Sequence, residues 1–282
     1  MKDLILFGDC RKTISTITEP VKMCVTSPPY YGLRDYGGED NQIGQENSPE
    51  EFVDQLVDVF RSVKEVLTDD GTLWLNIGDS YYNYRSDGNY PKQTVSKTRQ
   101  DLPTKTPVRG NKLEGYKSKD LIGIPWLLAF ALRKDGWYLR QDIIWNKPNP
   151  MPESVRDRCT KSHEYIFLLS KSKNYYFDVD AIKESTIDGK GLKRKKSVWT
   201  VNTKPYKGTH FATFPPELIE PCIKSGSQKG DIILDPFMGS GTTGMVSKSL
   251  GRYYIGCELH ESYGKLIQNR VSQYTINLED FV

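Results

Sequence analysis

The sequence predicts an α/β fold in which a mainly parallel sheet carries helices on both faces. Helical patterns alternate with short apolar, β-rich runs along most of the chain. Four of these runs end in a small or acidic residue, as parallel strands with functional side chains at their tips do. They are residues 4–7 before Gly8-Asp9, residues 23–26 before Ser27, residues 232–234 before Asp235 and residues 253–256 before Glu258.

The first long helix is marked by its amino-terminal signals. Ser48 is an N-cap residue, Pro49 suits the first helical position, and apolar side chains then recur at helical spacing. Asp70-Gly71 predicts the end of this helix, and residues 72–77 form the next predicted strand. Further helices are predicted at residues 121–132, 217–224 and 244–250, and further strands at residues 139–145 and 165–169.

Two segments interrupt this alternation and define the predicted organisation of the chain. Residues 80–119 are polar and rich in Tyr, Lys, Ser, Gly and Pro, which predicts a mobile functional loop. Residues 173–209 are basic and aromatic and are predicted to form a separate recognition region. The remaining ranges, 1–79, 120–172 and 210–282, are predicted to form one α/β domain.

The bulk composition describes a globular protein of 282 residues with a net charge of +3 and 37% hydrophobic residues. No apolar run approaches the roughly 18 residues that span a bilayer. The first residues are too few and, at Asp3, too acidic for a secretory signal, so we expect a cytoplasmic protein without membrane contact. The 5 cysteines form no CxxC pair and only 3 histidines accompany them, so no metal site or disulfide framework is predicted.

The strongest functional signal is a glycine-rich loop, Asp235-Pro236-Phe237-Met238-Gly239-Ser240-Gly241-Thr242-Thr243. It follows an apolar strand and opens a helix, so its backbone can approach a ligand closely and present unpaired N–H groups. Glu258 ends the next strand, roughly 20 residues further on, where an acidic side chain is placed to bind a ribose diol. The combination predicts a nucleoside-bearing cofactor.

The loop favours S-adenosylmethionine among such cofactors. A phosphate-binding Walker loop needs Gly-Lys-Ser/Thr, but Gly241 is followed by Thr242 and no lysine is present. Asp235 at the head of the loop would repel phosphates, whereas it suits the cationic amino-acid moiety of S-adenosylmethionine.

A second loop, Thr26-Ser27-Pro28-Pro29-Tyr30, follows another apolar strand. The consecutive prolines hold the backbone extended and lack N–H donors, so carbonyl oxygens are presented rigidly beside an aromatic ring. Such an array of acceptors suits a substrate amine. Because the carboxyl ends of parallel strands share one edge of a sheet, we expect this loop to lie next to the glycine loop.

Together the two loops resemble the signature motifs of the amino-methylating DNA methyltransferases. Residues 27–30 are similar to motif IV and residues 235–243 to motif I, and the order, with motif IV first, resembles the β class of that family. Gly8-Asp9 resembles the family's acidic motif near the adenine. Residues 210–215, which include Phe214, resemble motif X, which completes the methionine pocket. The likeness spans residues 9–263.

The resemblance implies a Rossmann-like methyltransferase fold that uses S-adenosylmethionine to methylate double-stranded DNA. The target base would be flipped out and stacked on Tyr30, and the Ser27 hydroxyl and Pro28 carbonyl would hold its exocyclic amine. The catalytic residues are predicted to be Ser27, Pro28, Pro29 and Tyr30, and the cofactor-binding residues Asp9, Phe214, Asp235, Phe237, Gly239, Ser240, Gly241, Thr242 and Glu258. A bacterial or phage protein is implied, while a restriction endonuclease partner and a homodimer are left open.

The methylated atom has alternatives. Methylation at cytosine C5 needs a cysteine nucleophile after a proline, and Pro221-Cys222 occurs, but in a predicted helix where we expect a core cysteine. Within the resembled family, serine at the first position of motif IV usually accompanies cytosine N4, whereas aspartate or asparagine usually accompanies adenine N6. Ser27 therefore favours cytosine N4, with adenine N6 as the alternative.

The candidate DNA contacts are basic side chains. Arg156 follows a proline-rich stretch, and a lysine-rich run supplies Lys193, Arg194, Lys195 and Lys196. For both groups a solvated face is the alternative. The segment 173–209 is the candidate for target recognition, and 80–119 the candidate for a loop that clasps DNA. His163 and Glu164 precede a predicted strand, and we expect structural roles for them.

Two other functions fit part of the sequence. A DNA-binding protein could keep this fold without catalysis, but the intact Ser27, Tyr30, Asp235 and Glu258 argue against it. A nucleotide-dependent enzyme with another small substrate is the second alternative, and the absence of phosphate-loop residues argues against that one.

Overall fold

The computed structural model describes residues 2–32, 42–82, 113–186, 188–204 and 214–272. Within these ranges the strands are β1 (Leu4–Phe7), β2 (Val21–Thr26), β3 (Leu67–Ile77), β4 (Tyr138–Asn146), β5 (His163–Ser170), β6 (Glu184–Ser185), β7 (Leu192–Lys193), β8 (Val198–Thr200), β9 (Ile232–Asp235) and β10 (Tyr253–Glu258). The helices are α1 (Cys10–Thr13), α2 (Pro49–Val66), α3 (Ile124–Lys134), α4 (Pro216–Gly226), α5 (Thr242–Ser249) and α6 (Gly264–Ser272). Short 3₁₀ turns lie at Ile14–Thr16, Asp180–Ile182 and Glu261–Tyr263.

Eight of the described strands form one sheet in the order β1-β10-β9-β2-β3-β5-β4-β8. The first five are parallel to their neighbours, and β8 is parallel to β4. Only β5 runs against the rest, between β3 and β4. The predicted mainly parallel sheet is therefore confirmed. A separate antiparallel pair is formed by β6 and β7.

The start of α2 follows its sequence signals, but its end does not. Ser48 caps the helix by accepting a hydrogen bond from the Glu51 N–H at 3.1 Å, and Pro49 occupies the first turn. The prediction that Asp70-Gly71 ends the helix was wrong, because α2 ends at Val66 and both residues lie inside β3. There the pairing between β2 and β3 shifts register, so the turn residues form an irregularity within the strand.

Other boundaries differ by a few residues. α3 starts at Ile124 rather than at residue 121, because Gly123 before it has a left-handed φ of 84° that no helical residue adopts. β5 starts at His163, two positions before the predicted strand, so that His163 and Glu164 belong to the sheet.

Apolar side chains cover both faces of the sheet. On one face α2 and α3 pack Phe52, Phe60 and Leu128 against the strands, and on the other face α4 packs against Trp74. The predicted helix layers on both faces are confirmed. No helix in the described ranges is long and apolar enough to cross a membrane.

Part of the segment 173–209 belongs to this core. Trp199 on β8 is buried, and its ring centroid lies 6.5 Å from that of Trp74 in β3. Phe177 stacks on Trp74 at 6.2 Å. Residues 173–209 therefore supply an edge strand and core side chains as well as any recognition surface. Most of the predicted mobile loop 80–119 lies outside the described residues.

Candidate active site

The carboxyl ends of five neighbouring parallel strands line one edge of the sheet. In spatial order these strands end at Phe7, Glu258, Asp235, Thr26 and Ile77. The two predicted loops are adjacent, because the Thr26 hydroxyl donates a 2.6 Å hydrogen bond to Asp235 Oδ1 across 209 positions of sequence. The expectation that the loops converge at this edge is confirmed.

The glycine loop is shaped by left-handed residues. Gly239 has φ 53° and Gly241 has φ 85°, a conformation that side chains rarely adopt. A Cβ on Gly241 would also lie 2.8 Å from Ile267 Cγ2 of α6. The loop therefore depends on glycine at this position both for its backbone angles and for its packing. It leads into α5, whose first-turn N–H groups have no partner within the helix itself.

Glu258 is joined to the glycine loop by its carboxylate. Oε2 accepts a hydrogen bond from the Gly239 N–H at 2.9 Å, and Oε1 accepts one from the His260 N–H at 3.1 Å. Burial raises the pKa of Glu258 to about 7, against the lowering effect of these two hydrogen bonds. A buried carboxylate with remaining acceptor capacity beside a glycine loop fits the ribose-binding role predicted for it.

Asp235 is a structural centre of both loops. Its side chain is buried, and it accepts hydrogen bonds from Thr26, from the Phe237 N–H at 3.0 Å and from the Thr243 hydroxyl at 2.5 Å. Burial raises the pKa of Asp235, although these hydrogen bonds oppose the rise. With three donors already supplied by the protein, the carboxylate fixes the shape of the loop from inside.

Two buried polar atoms near the loop have no hydrogen-bond partner among the described residues. They are Thr242 Oγ1, at the start of α5, and His260 Nε2, just beyond Glu258. Buried polar atoms are nearly always hydrogen-bonded in a native protein, so each is available to a bound molecule. Ser240 differs, because its buried hydroxyl accepts a hydrogen bond from Arg270 of α6.

Asp9 lies at the end of β1, next to Glu258 on the neighbouring strand. The Gly8 N–H donates to the Glu258 carbonyl at 2.9 Å, and Asp9 caps α1 by accepting from the Arg11 N–H at 3.0 Å. The Arg11 guanidinium also donates to both Asp9 carboxylate oxygens. Burial would raise the pKa of Asp9, but the contacts with Arg11 lower it overall.

The two aromatic residues predicted for the cofactor occupy different environments. Phe214 is buried in the same apolar cluster as Trp74 and Leu218. Phe237 is partly buried against the cluster on the opposite face, and its N–H is held by Asp235. The rest of the stretch resembling motif X before Phe214, residues 210–213, lies outside the described residues.

The Ser27–Tyr30 loop continues directly from β2. Pro28 is buried, while Ser27, Pro29 and Tyr30 are half-buried, so the loop presents a partly accessible surface. A Cβ built on Gly78, just after β3, would lie 2.7 Å from Tyr30 Cε2. The Tyr30 ring therefore rests against the backbone at Gly78.

Sequence reasoning missed two acidic residues beside this loop. The Tyr30 hydroxyl donates a 2.6 Å hydrogen bond to Glu164 Oε2, although Glu164 was expected to have only a structural role. Asp79 follows Gly78 and accepts hydrogen bonds from the N–H groups of Gly123 and Ile124, at 3.0 and 3.1 Å, at the start of α3. A sequence signal for Asp79 existed, since a strand followed by Gly-Asp is the pattern also found at Gly8-Asp9.

The basic residues predicted to contact DNA fall into two groups. Lys193 and Lys195 lie within 4 Å of the Glu184 carboxylate, at 3.8 and 3.9 Å. Arg194 and Lys196 alternate with them and are exposed. Arg156 is likewise exposed, on the connection between β4 and β5.

Cys222 is a core residue, as expected. Its side chain is fully buried in α4, and burial raises the pKa of its thiol. That environment does not suit a cysteine nucleophile for C5 chemistry. Among the described residues no group of three or more His, Cys, Asp and Glu side chains is arranged to hold a metal ion.

Comparison with known proteins places these features in a family. The model of the DNA methylase family that comprises N6- and N4-methyltransferases matches residues 21–269. The Type II methyltransferase M.Cfr9I of Citrobacter freundii is 52% identical over 262 residues, which cover 92% of this chain and 83% of that relative. M.SmaI of Serratia marcescens is 50% identical over 273 residues, which cover 95% of this chain and 90% of that relative.

Solved structures share the fold at lower identity. The cytosine-N4-specific PvuII DNA methyltransferase superimposes with a TM-score of 0.68 and 18% identity, over 96% of this chain and 89% of that one. The DNA modification methylase TTHA0409 of Thermus thermophilus, complexed with S-adenosyl-L-methionine, gives a TM-score of 0.65 and 24% identity, over 98% of this chain and 95% of that one.

Proposed function

Because this chain belongs to the DNA methylase family of N6- and N4-methyltransferases, we propose that it methylates the exocyclic N4 of a cytosine in double-stranded DNA, using S-adenosylmethionine. The hydrogen bond between Thr26 and Asp235 carries the proposal. It fixes the loop that suits an amine next to the loop that suits a nucleoside cofactor. A methyl donor and its acceptor can then meet at one strand edge.

The residues around the glycine loop fit the cofactor. Glu258 offers a buried carboxylate for the ribose hydroxyls, and Thr242 and His260 contribute buried polar atoms that lack a partner in the described part of the chain. The similar structure of TTHA0409 is a complex with S-adenosyl-L-methionine, which supports the same assignment. Bound there, the cofactor supplies a methyl group that is already activated by a positively charged sulfur.

The Ser27–Tyr30 loop would act on the base. Ser27 Oγ and the Pro28 carbonyl accept hydrogen bonds from the exocyclic amine, orient its lone pair and stabilise the positive charge that develops on nitrogen. The Tyr30 ring stacks on the extruded base and offsets part of the cost of flipping, a few kcal/mol. Asp235 acts indirectly, since its carboxylate holds Thr26 immediately before Ser27.

Ser27 supports cytosine N4 as the methylated atom. The fold is shared with a methyltransferase that is cytosine-N4-specific by name, which agrees with this choice. The relatives M.Cfr9I and M.SmaI are named Type II methyltransferases, so we extend the proposal to protection of DNA beside a restriction endonuclease of the same specificity. Arg156, Arg194 and Lys196 are proposed to contact the DNA backbone, because they are exposed and basic.

Expression of the chain in a host without DNA methylation, followed by long-read sequencing of the DNA, tests the proposal. We expect N4-methylcytosine at one short sequence, and none when Ser27→Ala is expressed at the same level. N6-methyladenine would overturn the choice of base. Unmodified DNA from a host that makes the folded wild-type protein would overturn the enzymatic activity itself.

A further inference from the structure

Tyr30 is held by residues on or next to three other strands, which the proposed mechanism does not use. Glu164 on β5 accepts the hydrogen bond from the Tyr30 hydroxyl across 134 positions of sequence. The same carboxylate forms a salt bridge with Lys147, just after β4, and accepts a 3.4 Å hydrogen bond from Asn76 Nδ2 on β3. Asn76 in turn donates to the Tyr165 carbonyl at 3.1 Å.

This group of side chains is largely screened from solvent. The Glu164 side chain is 13% exposed and the Lys147 side chain 16% exposed. Lys147 also lies over the Trp145 ring, with Nζ 4.2 Å from the centroid. A buried carboxylate needs both a counter-charge and hydrogen-bond donors to remain in place, and here it has Lys147, Asn76 and Tyr30.

The ring has little freedom to move away from this position. A Cβ on Gly78 would lie 2.7 Å from Tyr30 Cε2 and 3.3 Å from Glu164 Cδ, so both groups lie against the backbone at Gly78. One side of the ring is therefore blocked by the end of β3, and the hydroxyl is fixed by a charge-assisted hydrogen bond. These two contacts determine both the position and the orientation of the ring.

From this geometry we propose that Glu164 is the positioning residue for Tyr30 and makes its ring a better partner for a base that acquires positive charge. This inference rests on the stacking role proposed for Tyr30 above. A phenol that donates to a carboxylate carries more electron density on its ring, and an electron-rich ring attracts a cation more strongly. The positive charge on the target base peaks as its amine is methylated, so the benefit falls on the transition state.

A double-mutant cycle measures this coupling. Tyr30→Phe, Glu164→Gln and the double variant are compared with wild type in single-turnover methyl transfer, with tritiated S-adenosylmethionine and unmethylated DNA. We expect each single variant to be about tenfold slower, the effect of one charge-assisted hydrogen bond. In the Tyr30→Phe background, Glu164→Gln should change the rate less than about twofold, because the hydroxyl it holds is gone.

Three controls separate positioning from damage to the fold. Binding of S-adenosylhomocysteine and the KM for DNA should not change in Glu164→Gln, since only the rate of transfer depends on the ring. Glu220→Gln, which removes another carboxylate paired with a lysine but lies on α4, should keep the wild-type rate. Tyr30→Phe keeps the ring and tests the hydroxyl alone, even if Glu164→Gln unfolds.

The outcomes are distinguishable. A wild-type rate for Tyr30→Phe, or an equal loss from Glu164→Gln in both backgrounds, would overturn the role of Glu164 while leaving the methyltransferase proposal intact. Absence of methyl transfer by wild type, or full activity of Tyr30→Ala, would instead overturn the proposed function. Slow single variants with a non-additive double variant support the inference.

Discussion

Thr26 and Asp235 connect the two loops of the candidate active site through a buried 2.6 Å hydrogen bond. Thr26 is the last residue of β2 and Asp235 the last residue of β9, and these strands are neighbours in the sheet. Since Ser27 follows Thr26 and the glycine loop follows Asp235, one contact sets the distance between the catalytic loop and the cofactor loop. Both residues are buried, so water cannot replace the bond.

Thr26→Val should weaken both the fold and cofactor binding. Valine keeps the β-branched shape that suits the strand but leaves the buried Asp235 carboxylate with one donor fewer. We expect a loss of about 1–3 kcal/mol in the free energy of unfolding, measured in urea, and weaker binding of S-adenosylhomocysteine in calorimetry. Thr16→Val is the control, because Thr16 is exposed and the change should stay within about 0.5 kcal/mol. Unchanged stability and affinity in Thr26→Val would contradict the coupling of the loops.

Glu258 should make cofactor binding depend on pH. Burial raises the pKa of this carboxyl to about 7, so it gains acceptor capacity as the pH rises through that value. Ribose hydroxyls donate to the ionised form, and the affinity for S-adenosylhomocysteine should therefore increase from about one unit below this pKa to about one unit above it. Glu258→Gln should bind more weakly and lose the pH dependence. A wild-type affinity that is flat across the same range would argue against this role.

The same group should affect the stability of the unliganded protein with the opposite sign. Its pKa is raised by folding from the ordinary 4.5 to about 7, so the folded state favours the protonated form. The stability that protonation contributes is complete below pH 4.5 and is lost as the pH rises towards 7. Glu258→Gln should accordingly gain stability relative to wild type as the pH increases across this window, measured by thermal unfolding without ligand. A difference that stays constant with pH would exclude this linkage.

Gly78→Ala should impair catalysis while leaving cofactor binding intact. The added methyl group would lie 2.7 Å from the Tyr30 ring, so the ring must move from its place beside Glu164. We expect the single-turnover rate to fall about tenfold or more, with no change in the affinity for S-adenosylhomocysteine. Gly191→Ala is the matched control, because the nearest atom to its added methyl is 4.0 Å away. Wild-type transfer by Gly78→Ala would show that the ring position is not critical.

The basic segment should contact DNA through its exposed side chains. Replacing Arg194 and Lys196 with alanine should reduce the slope of log affinity against log salt by about 2, one unit for each lost phosphate contact. Replacing Lys193 and Lys195 should have a smaller effect, because Glu184 already pairs with both. Fluorescence anisotropy between about 50 and 200 mM salt measures both slopes. Equal slopes for the two double variants would contradict this division.

Much of this architecture could be predicted from local sequence. The parallel strands, the Ser48 cap of α2 and the adjacency of the two loops follow from hydrophobic periodicity and from the rule that parallel strands end at one edge. The glycine spacing was less decisive. Residues 239–244 also satisfy the GxGxxG pattern of dinucleotide sites, so Asp235 and the resemblance to a family carried the choice of cofactor.

The contacts that local sequence could not predict are those across the sheet. Glu164 reaches Tyr30 because β5 runs antiparallel between β3 and β4, and no periodicity specifies that reversal. The Asp70-Gly71 signal was read as a helix end because a turn within a strand looks the same in sequence. Asp235 had the residue type of a ligand contact, but its donors come from Thr26 and Thr243 and became visible only in the fold.

The central claim is that the two loops form one site that methylates the exocyclic amine of cytosine. The most direct test is methylation of unmodified DNA by the purified protein with S-adenosylmethionine deuterated at its methyl group, followed by digestion to nucleosides and mass spectrometry. The account predicts that the label appears in N4-methylcytosine, and that Ser27→Ala abolishes it without loss of S-adenosylhomocysteine binding. Label in 5-methylcytosine or N6-methyladenine, or none in DNA incubated with folded, cofactor-binding protein, would contradict it.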